Sequence, residues 1–345
     1  MIFARVKNLV FSLLPAFILL MFAEGSLRVV LFYYPSWDVV VAGVAEVEED
    51  RDLFWKLKKN LSTEFHSGQK LTTNRLGLRD KEIGPKSNEE FRILCLGEST
   101  TYGVFVEFDE TYCQVTQRQL TDKYQGTRRF RVINAGVPAY TSFQSKIYLT
   151  KEGNRLKPDV VVLYHEGNDY LPCGWGDVSG KNETDPECYA RRQRWSWSWS
   201  LGYLRVVRVP AYWVSRWSSG GLDEQVFSFA WSRFGNRAPG IKTRLSEKQQ
   251  WEVLEDFRSL CDSLDCQLVI IHPTYRATRR HRCILTQFVR THNIPFLESF
   301  DLFPHRAGYV IPDWFVDEAH PTVDGHRRIG EGLSELLLSQ KWFPR

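Results

Sequence analysis

The amino-acid sequence predicts an α/β protein in which helices cover both faces of a parallel sheet. Short apolar segments alternate with longer amphipathic ones between residues 90 and 340. The apolar segments are nearly continuous, as expected of strands that are buried on both faces. Small or polar residues follow three of these segments, at the carboxyl ends of strands where such sheets bind their ligands.

The predicted strands and helices follow in order along the chain. The apolar segments predict five strands, which are Phe91–Leu96, Phe130–Ile133, Asp159–Tyr164, Cys266–His272 and Pro295–Glu298. Helical spacing of apolar residues predicts five helices, which are Glu110–Tyr124, Ser142–Leu156, Ser246–Leu264, Arg279–His292 and Val323–Ser339. Ser142 is a good N-cap residue, and Pro158 ends the helix that it begins.

Composition excludes some classes of function. The chain has 345 residues, enough for one large domain with additional segments. Its formal net charge is +4 and most of its basic residues are dispersed, so nucleic-acid binding is not indicated. No Cys-x-x-Cys or His-x-x-x-His spacing occurs. The sequence therefore predicts neither a metal nor a cofactor.

Residues 1–34 are predicted to be a membrane anchor or a signal segment. Basic Arg5 and Lys7 precede an apolar stretch over residues 9–23, and a second one covers residues 29–34. A retained anchor would place the rest of the chain outside the cytoplasm, whereas small residues around Glu24 also suit cleavage by a signal peptidase. A buried amphipathic helix is the third interpretation. We expect the anchor, because apolar character continues past Glu24, and thus a single-pass membrane protein.

The rest of the chain divides into an extended, partly polar lead-in over residues 35–88 and a main domain over residues 89–345. An insertion at about 171–245 interrupts the main domain and holds seven of the 12 tryptophans. We interpret it as a cap, although a hydrophobic subdomain without a substrate role is an alternative. Trp195, Trp197 and Trp199 would share one face if extended. They could contact sugar rings, an acyl chain or the membrane interface.

The seven cysteines are an odd number. Cys95 lies in a predicted core strand and is expected to be a buried apolar residue. If the domain is exported, Cys173 could pair with Cys188 and Cys261 with Cys266, but sequence alone does not establish either disulfide.

Four short segments together supply the groups needed for acyl transfer through a serine. They are Gly97-Glu98-Ser99-Thr100, Asn134-Ala135-Gly136, Gly167-Asn168-Asp169 and Asp317-Glu318-Ala319-His320. They offer a hydroxyl nucleophile, oxyanion donors, a base and a carboxylate to orient the base. Taken alone, Ser99 could be a helix N-cap and Gly136 a turn glycine. The ordered set favours the chemical interpretation.

The same four segments resemble those of the SGNH (GDSL) hydrolase superfamily, over about residues 90–340. The lead-in Asn74-Arg75-Leu76-Gly77-Leu78-Arg79 is also similar to that of its exported, N-terminally anchored bacterial branch. The resemblance implies a flavodoxin-like three-layer α/β/α fold and hydrolysis of esters or thioesters.

The resemblance also implies a role for each residue of the site. Ser99 would be the nucleophile, His320 the general base, and Asp317 the group that orients the imidazole. The oxyanion would be held by the Ser99 N–H, the Gly136 N–H and the Asn168 side-chain amide.

Two residues depart from the family pattern. Glu98 stands where the family most often has Asp, and we expect the longer carboxylate to keep its charge and be tolerated. Glu166 stands where the family usually has Gly; it could raise the pKa of the base, contact the substrate or point to solvent. Asp169 is expected to be structural. His165, His272 and His326 are expected to be packing or surface residues.

The sequence thus predicts a serine esterase that acts on acyl or acetyl esters, with envelope glycans or lipids as candidate substrates. An O-acyltransferase that uses the same site is one alternative, because a cap that excludes water would favour transfer. A non-catalytic glycan- or lipid-binding protein on the same fold is the other.

Overall fold

The computed structural model describes most of the main domain and parts of the preceding segments. The described residues are 13–26, 47–64, 68–125, 128–173, 183–194, 242–275, 283–306, 309–310, 312–340 and 342–343. The central sheet has five parallel strands, which are β1 (Glu90–Gly97), β2 (Arg129–Gly136), β3 (Val160–Tyr164), β4 (Gln267–His272) and β5 (Phe296–Glu298). Their order is β2-β1-β3-β4-β5, as in flavodoxin-like sheets.

Seven α-helices accompany the sheet in the part of the chain that the structure describes. They are α1 (Ser99–Tyr102), α2 (Tyr112–Lys123), α3 (Ser142–Leu156), α4 (Asp185–Arg194), α5 (Glu247–Ser263), α6 (Ile284–His292) and α7 (Val323–Ser339). The bounds of α3 and α7 are as predicted. The N-cap of α3 is Thr141 instead of Ser142, and α2 begins at Tyr112 because a separate 3-10 turn covers Phe108–Glu110.

Helices cover both faces of the sheet. Along β1, Leu94 and Leu96 belong to one core cluster, which includes residues of α3, α5 and α6. The alternate residues Ile93 and Cys95 belong to a second cluster with residues of α2 and α7. Side chains alternate between the two faces of a strand, and both faces of β1 are covered, so every residue of this strand is buried. The prediction of a parallel sheet between two helical layers is confirmed.

The described part of the lead-in packs into the core of the main domain. Val47–Asp50 pairs with Phe54–Leu57, and Ser62–Glu64 pairs with Lys70–Thr72, as two antiparallel hairpins. Trp55 is only 2% exposed, and its indole N–H donates to the Pro138 carbonyl at 3.2 Å. The first hairpin therefore supports the loop that follows β2.

Arg79 connects the lead-in to the turn that follows α1. Its guanidinium is buried and donates to the carbonyl oxygens of Tyr102, Gly103 and Val106. Backbone carbonyls near the end of a short helix otherwise lack partners, so this side chain satisfies several of them at once.

The predicted N-terminal segment, residues 1–34, is described in part. Residues 13–26 are helical and expose large apolar side chains between Leu13 and Phe22. Among the helices of the described residues, none is both long and apolar enough to cross a bilayer.

The candidate disulfides are absent, and only part of the predicted cap is described. All seven cysteines are free thiols, so neither candidate disulfide is present; the Cys173 thiol lies 3.1 Å from the Thr243 carbonyl. Of the cap, residues 171–173, 183–194 and 242–245 are described. Trp195, Trp197 and Trp199 lie outside the described residues.

Candidate active site

Ser99, His320 and Asp317, which are far apart in the sequence, meet at one edge of the sheet. The Ser99 Oγ lies 2.8 Å from the His320 Nε2. On the other side of the imidazole, Nδ1 lies 2.7 Å from the Asp317 Oδ2. The structure thus places a hydroxyl, an imidazole and a carboxylate in a continuous hydrogen-bonded chain.

Local structure explains the position of Ser99. It is the first residue of α1 and follows the end of β1 after a single residue, Glu98. The turn is tight, because a Cβ built on Gly97 would lie 1.9 Å from the Thr101 Oγ1. Only glycine fits there without displacing α1. Within the described residues, no acceptor is recorded for the Ser99 N–H, as expected at the first turn of a helix.

The loop before α7 holds the imidazole. The Asp317 Oδ1 accepts the backbone N–H groups of Ala319 and His320, both at 2.8 Å. The ring of Phe105 packs edge-on against the imidazole, with 5.5 Å between ring centroids. Burial acts to raise the pKa of Asp317, but the hydrogen bond and charge of His320 and the two N–H groups outweigh it, so this pKa lies below its ordinary value.

Gly136 does not match its predicted role. It is the last residue of β2, and its N–H donates to the Asn134 Oδ1 at 3.0 Å. A Cβ at this position would lie 2.2 Å from the Tyr102 backbone nitrogen. The prediction of an oxyanion donor at Gly136 is therefore contradicted: its N–H is already occupied, and the residue is small because α1 packs directly on it.

Asn168 lies in the turn after β3, and one side-chain N–H remains after its internal bonds. Its Nδ2 donates to the Tyr140 carbonyl at 3.0 Å. An amide nitrogen carries two hydrogens, so this contact orients the side chain and leaves one hydrogen for a ligand. The residue is 7% exposed.

Sequence reasoning missed Ala139, which lies in the loop between β2 and α3. Its φ of 63° is in the left-handed region, which costs a non-glycine residue about 1–3 kcal/mol and persists only where neighbours enforce it. Within the described residues, no acceptor is recorded for its N–H. The neighbouring residue Tyr140 supplies the carbonyl that orients Asn168.

A buried arginine enforces this loop conformation. Arg244 is 2% exposed and donates to the Ala139 carbonyl at 2.6 Å. The same guanidinium contacts Asp185 at 2.9 Å and the Gln144 Oε1 at 2.8 Å. No local sequence signal could have indicated this residue, since it lies 105 positions from its carbonyl partner.

Glu98 is buried beside Ser99, and its carboxyl does not keep the charge that the sequence led us to expect. Burial, and then the negative charge of Asp169, raise the pKa of Glu98 to about 8. The Tyr275 hydroxyl lies 3.5 Å from its Oε1, and also accepts the Gly167 N–H at 2.8 Å. The carboxyl is therefore mostly protonated at neutral pH, which lowers the negative charge next to Ser99.

We expect the stability of Glu98→Gln, relative to that of the wild type, to increase as the pH rises. The folded pKa of about 8 exceeds the ordinary 4.5, so the unfolded chain releases this proton first, and the wild type loses stability as pH rises between these values. Gln does not ionise. The free energy of unfolding should shift in favour of the variant by at most about 1.4 kcal/mol per pH unit across this window.

Urea unfolding at a series of pH values measures this shift. The matched control is Glu89→Gln, because Glu89 is exposed, and its curve should run parallel to that of the wild type. A Glu98→Gln curve that also stays parallel would show that Glu98 is charged in the folded protein.

The remaining predicted residues lie away from the Ser99 hydroxyl. Asp169 is structural as expected, because its carboxylate accepts from the Ser142 N–H and Oγ and from Gln250. Glu166 is 1% exposed, and its Oε2 lies 3.1 Å from the His272 Nε2. Of its three predicted roles, pointing to solvent is excluded, and its carboxylate contacts a second histidine instead of the base.

His165 and His326 are packing residues, as expected. His165 is 1% exposed, and its Nε2 lies 2.8 Å from the Ser145 Oγ. His326 is fully buried, and its Nδ1 accepts the Tyr112 N–H at 3.2 Å. Burial, reinforced by a nearby arginine, lowers the pKa of each to about 3, so both rings are neutral.

Comparison with known proteins identifies the family. A family model described as the GDSL-like lipase/acylhydrolase family matches residues 95–328. The chain belongs to this family. It is a carboxylic ester hydrolase of the GDSL type, and the matched range includes Ser99, Asn168, Asp317 and His320.

Solved structures similar to this GDSL hydrolase share little sequence with it. The acetylxylan esterase Axe2 from Geobacillus stearothermophilus is 14% identical, with a TM-score of 0.45 over 76% of this chain and 99% of that chain. TesA is 13% identical, with a TM-score of 0.42 over 71% and 97%. LAE5, an α/β hydrolase from the metagenome of Lake Arreo, Spain, is 14% identical, with a TM-score of 0.44 over 71% and 94%. A comparison with curated proteins gives no match.

Proposed function

We propose that this GDSL hydrolase is a serine esterase in which Ser99 is the nucleophile, His320 the general base and Asp317 the residue that orients the base. The observation that carries the proposal is the 2.8 Å distance from the Ser99 Oγ to the His320 Nε2, with Asp317 2.7 Å from the opposite ring nitrogen. A serine hydroxyl needs such a base, because it is weakly nucleophilic at neutral pH.

In the acylation step the Ser99 Oγ attacks the ester carbonyl, and its proton moves to the His320 Nε2. Asp317 accepts the Nδ1–H, which selects the tautomer with a free Nε2 and stabilises the imidazolium. His320 then returns the proton to the leaving alcohol. In deacylation a water molecule takes the place of the alcohol, and the acid is released.

We propose the Ser99 N–H and the Asn168 Nδ2 as oxyanion donors, with the Ala139 N–H in place of Gly136 as the third. The support is that, among the described residues, no acceptor is recorded for the Ser99 and Ala139 N–H groups, and that Tyr140 orients the amide of Asn168. The high pKa of Glu98 also helps, because a neutral acid beside Ser99 does not repel the developing negative charge.

We also propose that the substrates are acyl or acetyl esters of envelope glycans or lipids, and that the enzyme acts outside the cytoplasm. The substrate proposal depends on the alternating Trp195, Trp197 and Trp199, which suit sugar rings or acyl chains. The location depends on the apolar N-terminal sequence. The exposed apolar side chains between Leu13 and Phe22 are compatible with contact to lipid.

Covalent labelling tests the proposed nucleophile. A fluorophosphonate probe should modify the full-length protein at Ser99, because the neighbouring imidazole activates that hydroxyl. Peptide mass spectrometry locates the label. Ser263→Ala, which removes an exposed hydroxyl, is the matched control and should label as the wild type does. An unlabelled wild-type protein would favour the non-catalytic alternative.

A series of nitrophenyl esters from acetyl to long acyl chains then defines the acyl specificity. Free acid as the product in the presence of a sugar acceptor indicates hydrolysis, whereas acylated sugar indicates the transferase.

A further inference from the structure

A second cluster of reactive side chains surrounds His272 at the carboxyl end of β4. This histidine is 2% exposed. Its Nδ1 lies 2.8 Å from the Glu298 Oε1, and its Nε2 lies 3.1 Å from the Glu166 Oε2. The Cys283 Sγ lies 3.4 Å from the same Nε2. Two carboxylates and a thiol thus surround one imidazole, and none of them takes part in the proposed esterase mechanism.

We propose that Glu166, His272 and Cys283 form a binding site for Zn²⁺. Their ligand atoms all lie within 4.8 Å of one another. Tetrahedral zinc with Zn–N and Zn–O bonds of about 2.0–2.1 Å and Zn–S bonds of about 2.3 Å separates N from O by about 3.3 Å and N from S by about 3.5 Å. The observed separations of 3.1 and 3.4 Å are close to these values.

Glu298 lies against the other ring nitrogen of His272, as a carboxylate beside a metal-binding histidine does. Histidine ligands of metals almost always donate their other ring N–H to a carboxylate or carbonyl, which sets the tautomer and the ring orientation. The Nδ1 of His272 contacts both oxygens of Glu298, at 2.8 and 3.0 Å. This contact orients the ring so that Nε2 faces Glu166 and Cys283, where the proposed cation would bind.

The fold explains why the cluster forms. Glu166 follows β3 after one residue, His272 and Glu298 end β4 and β5, and Cys283 is the N-cap of α6. Parallel strands bring their carboxyl ends to one edge of the sheet, so these residues converge. Glu166 and His272 are buried, whereas Cys283 is half-buried. The spacing of the ligands explains why the sequence predicted no metal.

The donor set indicates which cation. A thiolate combined with an imidazole and a carboxylate is typical of zinc, whereas calcium and magnesium prefer oxygen ligands alone. Three protein ligands leave a fourth tetrahedral position for water. A bound cation would join the ends of β3 and β4 to the start of α6.

Cobalt substitution tests the proposal on the full-length protein after treatment with a chelator. We expect one equivalent of Co²⁺ to give the visible absorption of a tetrahedral site and a thiolate-to-cobalt charge-transfer band, and Zn²⁺ to remove both. Cys283→Ser should lose the charge-transfer band and weaken binding at least about 100-fold. Glu298→Gln should keep the band and weaken binding by about 10- to 100-fold, as expected of a residue that orients a metal ligand without binding the metal.

The matched control is Cys173→Ser, since Cys173 is also half-buried but its sulfur faces the Thr243 carbonyl. It should bind Co²⁺ like the wild type. Glu166→Gln keeps every thiol and should weaken binding while keeping the charge-transfer band, which provides a test independent of Cys283. The proposal is overturned if the wild type shows no charge-transfer band, or if Cys283→Ser or Glu166→Gln binds Co²⁺ as tightly as the wild type. In those cases the cluster is a hydrogen-bonded histidine between two carboxylates.

Discussion

Replacement of Ser99 or His320 by alanine is expected to lower kcat for ester hydrolysis by about 10⁴- to 10⁶-fold, as for catalytic residues of other serine hydrolases. Each residue is needed for the same step, since the hydroxyl loses its proton to the imidazole as it attacks. The distance of 2.8 Å between the Ser99 Oγ and the His320 Nε2 is the basis for this expectation. Steady-state hydrolysis of a nitrophenyl ester measures the loss.

The double variant sharpens this prediction. Because the two side chains act as a unit, Ser99→Ala combined with His320→Ala should be about as slow as either single variant, instead of showing the product of the two losses. His305→Ala is the matched control, since His305 is exposed and its ring contacts the Phe303 carbonyl and the Phe300 ring. Activity that survives in both single variants would refute the mechanism.

Asn168→Ala should lower kcat by about 10²- to 10³-fold with a small change in KM, because an oxyanion donor acts mainly in the transition state. The Nδ2 of Asn168 already donates to the Tyr140 carbonyl, which holds the amide rigid before substrate binds. A preorganised donor contributes more than a mobile one, because it does not reorganise during the reaction.

A negative charge introduced at the same position separates oxyanion binding from a packing effect. Asn168→Asp is nearly isosteric, but its carboxylate would repel the oxyanion, so we expect it to be slower than Asn168→Ala. Asn154→Ala on the exposed face of α3 is the matched control and should retain the activity of the wild type. Equal kcat values for Asn168→Asp and the wild type would exclude a donor at this position.

Local sequence patterns predicted the helices well where the residues that start, bury and end a helix all lie within or next to it. The helices Ser142–Leu156 and Val323–Ser339 have the bounds that their periodicity predicted. Their caps, apolar faces and ends are all encoded within a few residues. The start of α2 at Tyr112 was missed, because Glu107 and Glu110 close a separate turn through a capping box that the apolar pattern does not reveal.

The proposed oxyanion donors show a limit of motif reasoning. A glycine after a strand is compatible with a free N–H, but only coordinates show that the N–H of Gly136 donates to Asn134. The left-handed φ of Ala139 depends on Arg244, which lies at the end of the cap segment, 105 residues further along the chain. Alanine gives no local signal for that conformation, since it does not favour it.

Sequence alone determined the alternating strands and helices, and it named Ser99, Asn168, Asp317 and His320, because residue type and position after a strand are local properties. Tertiary structure alone decided which N–H groups remain available, the protonation of Glu98 and the convergence of Glu166, His272 and Cys283. Hydrogen-bond occupancy and burial depend on neighbours more than 100 positions away, such as Tyr275 next to Glu98. A one-dimensional pattern does not contain those distances.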